Sequence, residues 1–321
     1  MSSTFLLAGA GVFLLLSAPA LGQTWPCVEG WQGLGIPGVA GQLSTYSVKD
    51  LKWWDPDGPG PRAPIVLVAG SFPAAGDLVG GPLVAYDPPT RSWLHVTTPL
   101  SGSVREVLPL GDGHLAAVGS FTFPGRTSPS RFATWDGTSW HDDSDGIAEP
   151  VYSIARLHSG EFVIGTSSQI LRRSASGWEP MHGEEIFGTA TVLRVAPDGR
   201  LFAGGTLRLN FTNIGVLMWD GTAWSLACSS GGSFTQPGGV GIIEVLPDGC
   251  MLFSGAVIEG VRTGLGIMKW CNGSLTSLSR VPYPNGTIGA HATSVIVNPD
   301  GSLFVEAAYE FSPRVYFTEM L

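Results

Sequence analysis

Apolar and polar residues alternate along this chain in short runs, and no stretch carries the 3.6-residue spacing of an amphipathic helix. The same order recurs. An alternating run leads to an Asp-Gly pair, then to an apolar run ending near a Gly, then to a Trp-bearing hairpin. One copy runs Val104-Arg-Glu-Val-Leu, Asp112-Gly113, Leu115–Phe121 and Trp135-Asp136-Gly137-Thr-Ser-Trp140. A second runs Val192-Leu-Arg-Val, Pro197-Asp198-Gly199, Leu201–Thr206 and Trp219-Asp220-Gly221-Thr-Ala-Trp224. A third runs Ile242-Ile-Glu-Val-Leu, Pro247-Asp248-Gly249, Met251–Ala256 and Trp270-Cys-Asn-Gly273.

The glycine closing the second run serves as a ruler. It falls at Gly70, Gly119, Gly165, Gly205 and Gly255, with Glu306 in the sixth copy, in steps of 40 to 51 residues. A repeat of that size means a propeller or solenoid. It holds four short strands, A to D, with tight turns between them. In the third copy they are expected at Val151–Leu157, Phe162–Ser167, Ile170–Ser174 and from Trp178 onward. The last copy ends without a strand D, while Gly30-Trp31-Gln-Gly-Leu-Gly35 is an orphan strand D start. The fold class expected is therefore all-β: a six-bladed β-propeller closed by an N-terminal strand, Trp31 to Leu34, completing the last blade against Arg314 to Thr318. The alternative is an open or seven-bladed ring with a degenerate copy in residues 36–65.

Composition suits many short strands. The 321 residues include 45 Gly and 24 Pro, and only 13% are charged. The net charge of −9 and the lack of any Lys/Arg block argue against nucleic acid and anionic membranes. Phe5–Leu16 is apolar but short for a membrane span, and Ala18, Ala20 and Gly22 fit a cleavage site. Residues 1–22 are thus expected to be a signal peptide and 23–321 a single propeller domain, exported to a secreted, periplasmic or cell-surface location. The segment lacks a basic residue before its apolar run, so an uncleaved anchor stays open. Four cysteines in an exported chain allow three connectivities of two disulfides. Cys250 follows an A–B turn and Cys271 sits in the C–D turn of the same copy, which makes them the best pair by topology. Cys27 and Cys228 would have to reach between faces.

At Pro-Asp-Gly, Gly-Gly-Thr and Trp-Asp-Gly-x-x-Trp the chain resembles exported bacterial proteins built from β-propeller repeats, related in look to kelch and delta-60-type repeats. The first copy looks most like kelch: Ala69-Gly70-Ser-Phe, then Tyr86-Asp87-Pro88, then Trp93. The resemblance spans residues 30–321. It implies the fold and no activity, because its motifs are turn and packing positions. Trp135-Asp136-Gly137-Thr-Ser-Trp140 is also a near miss of the Asp-box of six-bladed sialidases.

Candidate chemistry is sparse. The turn aspartates read as hairpin residues, since each turn brings one carboxylate and calcium takes six to eight oxygens. Asp142-Asp143-Ser-Asp145-Gly146 is the only acidic cluster, and it reads as a solvated turn, with a calcium site as the alternative. The histidines (His95, His114, His141, His158, His182, His291) are scattered, so no metal site and no cofactor is expected. Glu106 and Glu244 read as sharing a register, three residues before Pro109 and Pro247, and Arg194 stands three before Pro197. These three are the candidate substrate-binding residues at the channel, with an inter-blade ion pair as the plainer reading. Arg105, Arg156 and Arg194 all lie on strands A, but in different registers. No catalytic residue is assigned. The function expected is a non-catalytic binding or surface module for an unknown glycan or protein ligand. The alternative is a sialidase-like or other glycan hydrolase at the channel mouth.

Overall fold

The computed structural model describes residues 39–40, 47–181, 186–210, 212–227, 239–259, 262–281, 290–297, 303–309 and 312–319. The chain falls into two compact units, Met1–Asp145 and Gly146–Leu321. Each is built from antiparallel four-stranded meanders of the propeller-blade type.

The first unit holds two blades. Blade 1 comprises Ser47–Trp54, Ile65–Ser71, Leu83–Asp87 and Ser92–Leu94, and blade 2 comprises Ser101–Gly111, His114–Thr122, Ser130–Trp135 and Trp140–Asp142. The second unit holds three more. Blade 3 runs Val151–Arg156, Phe162–Thr166, Ile170–Ser174 and Gly177–Pro180, and blade 4 runs Ala190–Val195, Leu201–Gly205, Val216–Trp219 and Trp224–Leu226. Blade 5 runs Val240–Val245, Met251–Glu259, Arg262–Cys271 and Ser274–Val281. A three-stranded sheet follows: Ala290–Val297, Leu303–Tyr309 and Ser312–Glu319. Complete blades among the described residues thus number five, not six. The strand expected to complete the sixth, Trp31 to Leu34, lies outside the described residues, as do residues 1–22. Residues 47–54 form strand A of blade 1, so they are not part of a separate degenerate copy.

The cores lie between consecutive blades. In the first unit Ile65, Leu67, Ala69, Leu83 and Ala85 pack with Val104, Val107, Leu115 and Ala117. In the second, Val163 and Ile170 pack with Leu193, Leu201 and Leu217, and Val192 and Phe202 pack with Ile243 and Phe253. Strand B side chains are buried on both faces of the sheet, which is why these strands read as continuous apolar runs. Each fully buried Leu, Val or Phe contributes about 1.5–3 kcal/mol relative to exposure.

Each described strand A carries a bulge early in its run, at Lys49, Arg105, Tyr152, Thr191, Gly241 and Thr293. The strand B residue facing the start of the bulge is Gly70, Gly119, Gly205 or Gly255 in four sheets, Thr166 in blade 3 and Ala307 in the last sheet. The glycine is explained by crowding. A Cβ on Gly205, whose φ is +142°, would lie 2.0 Å from the Thr189 carbonyl oxygen. The ruler is therefore off by one at two places. Gly165 lies one step further in, where a Cβ would meet the Ala190 carbonyl of blade 4 at 2.3 Å. Its glycine serves blade-to-blade approach instead. Glu306, paired with Ser294 and Tyr316, shares that inner position and does not replace the bulge glycine.

Two blades carry an extra flap. The B–C connection of blade 1 forms the hairpin Ala74–Ala75 and Leu78–Val79, paired with Val39–Ala40. That of blade 4 forms Arg208–Leu209 and Thr212–Asn213, paired with Ile186–Phe187.

Candidate functional site

Arg194 and Glu244 occupy the same register on strands A of blades 4 and 5, opposite Phe202 and Leu252. Arg194 Nη2 stands 3.4 Å from Glu244 Oε1, and its Nη1 donates to the Leu193 carbonyl at 2.9 Å. Glu106 is not at that register. It is the first residue after its bulge, opposite Val118. The reason lies in its turn. Blades 3, 4 and 5 close their A–B hairpins with the same loop, in which Leu157, Ala196 and Leu246 donate to Glu161, Arg200 and Cys250. Blade 2 instead uses a two-residue turn, Asp112-Gly113, with φ of +49° and +76°. Its strand A runs on past Pro109 with a second irregularity, so counting back from the proline misplaces Glu106.

Glu106 is 8% exposed. Its Oε1 lies 4.0 Å from Lys52 Nζ of blade 1, which also pairs with Asp50 Oδ1 at 3.1 Å. Asp50 Oδ2 accepts the Val107 N–H at 2.9 Å. Ser153, at the same register in blade 3, donates its hydroxyl to the Ala190 carbonyl of blade 4 at 2.9 Å. Asp50 and Ser153, each the first residue after its bulge, thus reach the next blade of their own unit, while Glu106 at that register faces back to blade 1. Of the other arginines, Arg105 is itself a bulge residue. Arg156 stands one position beyond the Arg194 register and donates to its own turn at Gly160.

The turn aspartates have their hydrogen bonds inside their hairpins. Asp136 Oδ1 accepts from the backbone of Thr138 (2.8 Å) and Ser139 (2.7 Å), and its Oδ2 contacts His141 Nε2 at 2.7 Å. Asp220 Oδ1 repeats this with Thr222 and Ala223, both at 2.8 Å. These bonds hold both carboxyls below the ordinary carboxylate range, the His141 contact leading at Asp136 and the Ala223 N–H at Asp220. The two Trp pairs match closely: Trp135–Trp140 at 5.6 Å and Trp219–Trp224 at 5.5 Å, both inclined at 54°. Asp142, in the acidic cluster, is bound to Ser130 (2.9 Å), the Ser144 N–H (3.2 Å) and Arg126 (3.1 Å). Asp143 accepts from Thr134 at 3.4 Å.

Cys250 and Cys271 form a disulfide, with Cα atoms 5.0 Å apart. Asp248 lies beside them and pairs with Lys269 Nζ at 2.6 Å. This is the one close group of three potential metal ligands among the described residues, and its two sulfurs are bonded to each other. Cys27 and Cys228 lie outside the described residues. No helix among the described residues is long and apolar enough to cross a membrane.

One pocket was not expected from the sequence. It lies on blade 2, has a volume of about 190 Å³, and is lined by Thr98, Phe123, Arg126, Thr138, Ser139, Trp140 and Asp142. The B–C connection folds back over strand D, placing the Phe123 ring 6.4 Å from Trp140 and the Arg126 guanidinium 5.6 Å from the Phe123 ring. The sequence signal was slight: an aromatic pair, Phe121 and Phe123, at the end of strand B.

No family model matches the chain, and no curated protein matches it. Solved structures resemble it at low identity. YCF48 bound to D1 peptide is 14% identical, with 86% of this chain and 96% of that one covered and a TM-score of 0.46. PorZ, a surface component of the type-IX secretion system of Porphyromonas gingivalis, is 13% identical, with 84% and 45% covered and a TM-score of 0.41. The extracellular domain of the hybrid two-component system BT3049 from Bacteroides thetaiotaomicron is 10% identical, with 95% and 48% covered and a TM-score of 0.41. The chain spans just under half the length of these last two. Likeness at this level assigns no activity and no partner.

Proposed function

We propose that the chain is an exported, non-catalytic binding module of propeller blades that recognises a glycan or protein ligand on its surface. The observation that carries this reading is the engagement of the strand A charges. Arg194 and Glu244 pair across two blades, and Lys52 and Asp50 bind the neighbouring blade at Glu106 and Val107. Charges used this way act as staples between blades. Engagement of this kind supports a structural role over the opposed acid and base that glycoside hydrolysis requires. Export is supported by the Cys250–Cys271 disulfide and by the apolar Phe5–Leu16 run. In this reading the N-terminal strand around Trp31 completes the last sheet as a sixth blade.

The test is a glycan array probed with the full chain, followed by product analysis on every positive glycan. The reading expects retention of intact glycans. Release of shortened glycans or free sugar from a bound spot would replace it with the hydrolase.

A further inference from the structure

Resting on the binding-module reading, we infer that the blade 2 pocket is a subsite for a single neutral hexose ring, with Trp140 and Phe123 as its apolar wall and Asp142 and Arg126 as its polar wall. Blade 4 supplies the comparison. Both blades carry the Trp-Asp-Gly-x-x-Trp hairpin with the same paired indoles. In blade 4 the second Trp is used structurally: Trp224 Nε1 donates to the Met181 carbonyl of blade 3 at 3.1 Å. In blade 2 the matching Trp140 Nε1 is buried with no partner among the described residues. Two residues on, blade 4 has the apolar Leu226, whereas blade 2 has the carboxylate Asp142. In blade 2 the B–C connection brings Phe123 and Arg126 to the pocket, whereas in blade 4 it forms the flap Arg208–Leu209 and Thr212–Asn213, paired with Ile186–Phe187. Hairpin formation explains none of these differences, because the blade 4 hairpin forms without them.

The lining selects the ligand class. Arg126 Nη1 and Asp142 Oδ2 lie 3.1 Å apart, so a donor and an acceptor stand side by side, as adjacent sugar hydroxyls require. The C–H face of a pyranose fits against an aromatic wall. A charged ligand would compete with one member of the Arg126–Asp142 pair, and an anionic one would also meet a chain of net charge −9. A neutral sugar leaves the pair intact. The volume of about 190 Å³ is below the range for drug-sized ligands, which limits occupancy to one ring.

The test titrates the full chain with methyl glycosides of glucose, galactose, mannose and N-acetylglucosamine, read by saturation-transfer NMR. Wild type is compared with Asp142→Asn, Arg126→Ala and, as a control at the matching blade 4 position, Leu226→Ala. Near-UV circular dichroism checks that each variant is folded. Losing a charge-assisted contact should weaken binding about 10-fold or more in Asp142→Asn and Arg126→Ala, with Leu226→Ala unchanged. Equal affinity in all four proteins overturns the pocket and leaves the binding-module reading standing. So does no transfer to any of the four sugars. Catalytic turnover would instead overturn the underlying reading.

Discussion

Asp50 in blade 1 and Val107 in blade 2 are joined by a hydrogen bond of 2.9 Å, from the Val107 N–H to the Asp50 carboxylate. Ser153 repeats the bridge from the same register in blade 3, donating to the Ala190 carbonyl. Blade 4 has Val192 there, packed with Val240 and Ile243 of blade 5. One position is thus solved three ways, by a carboxylate, a hydroxyl and an apolar contact.

Asp50→Ala removes the acceptor of a part-buried N–H and the closer partner of Lys52. It should lower unfolding free energy by about 1–3 kcal/mol. Urea denaturation checks this. A midpoint equal to wild type would show that water replaces the bridge without cost.

Gly205→Ala should be among the most damaging small substitutions. It adds a Cβ 2.0 Å from the Thr189 carbonyl at a φ of +142°, with an expected loss of about 2–4 kcal/mol. Gly241→Ala is the control, because nothing lies within 4 Å of its added Cβ. Thermal unfolding of the two variants should separate them, and equal melting temperatures would contradict the bulge explanation.

Much of this blade plan is legible in the sequence, because repeating strands and turns are local. The blade 3 strands fall within one or two residues of their expected bounds. The turn role of Asp136 and Asp220 follows from Asp-Gly chemistry. What fails is register. Pro109 looks like Pro247, yet the two-residue turn at Asp112-Gly113 lengthens strand A and moves Glu106 away from the Glu244 position. Gly165 looks like Gly119, yet it answers to a neighbouring blade. The pocket was hidden for a related reason. Phe123 and Arg126 reach Trp140 and Asp142 only by a loop folding back, which leaves no periodic trace.

The Cys250–Cys271 disulfide closes a separation of 21 residues. Replacing both cysteines by serine should cost about 2–4 kcal/mol, the usual range for a bridge of this kind. Guanidinium denaturation of the double variant beside reduced wild type is the measurement. The two should match, and a double variant as stable as the oxidised protein would refute a structural role.

Glu149 accepts hydroxyl bonds from Ser167 (2.6 Å), Ser168 (2.5 Å) and Thr166 (3.1 Å). The Ser167 and Ser168 bonds hold its carboxyl below the ordinary glutamate value. A folded-state value depressed in this way stabilises the fold fully above the unfolded glutamate pKa of about 4.3. That contribution is lost as pH falls through the lower folded value. Glu149→Gln should therefore be less stable than wild type at neutral pH, with the gap narrowing in acid. A gap independent of pH would contradict the assignment.

The most direct measurement of the central claim is the initial rate of aryl glycoside and aryl ester hydrolysis by wild type, Glu106→Gln and Glu244→Gln. If the strand A charges are staples between blades, all three proteins show the same background rate. Turnover by wild type that is lost in both variants would contradict it and make Glu106 and Glu244 a catalytic pair.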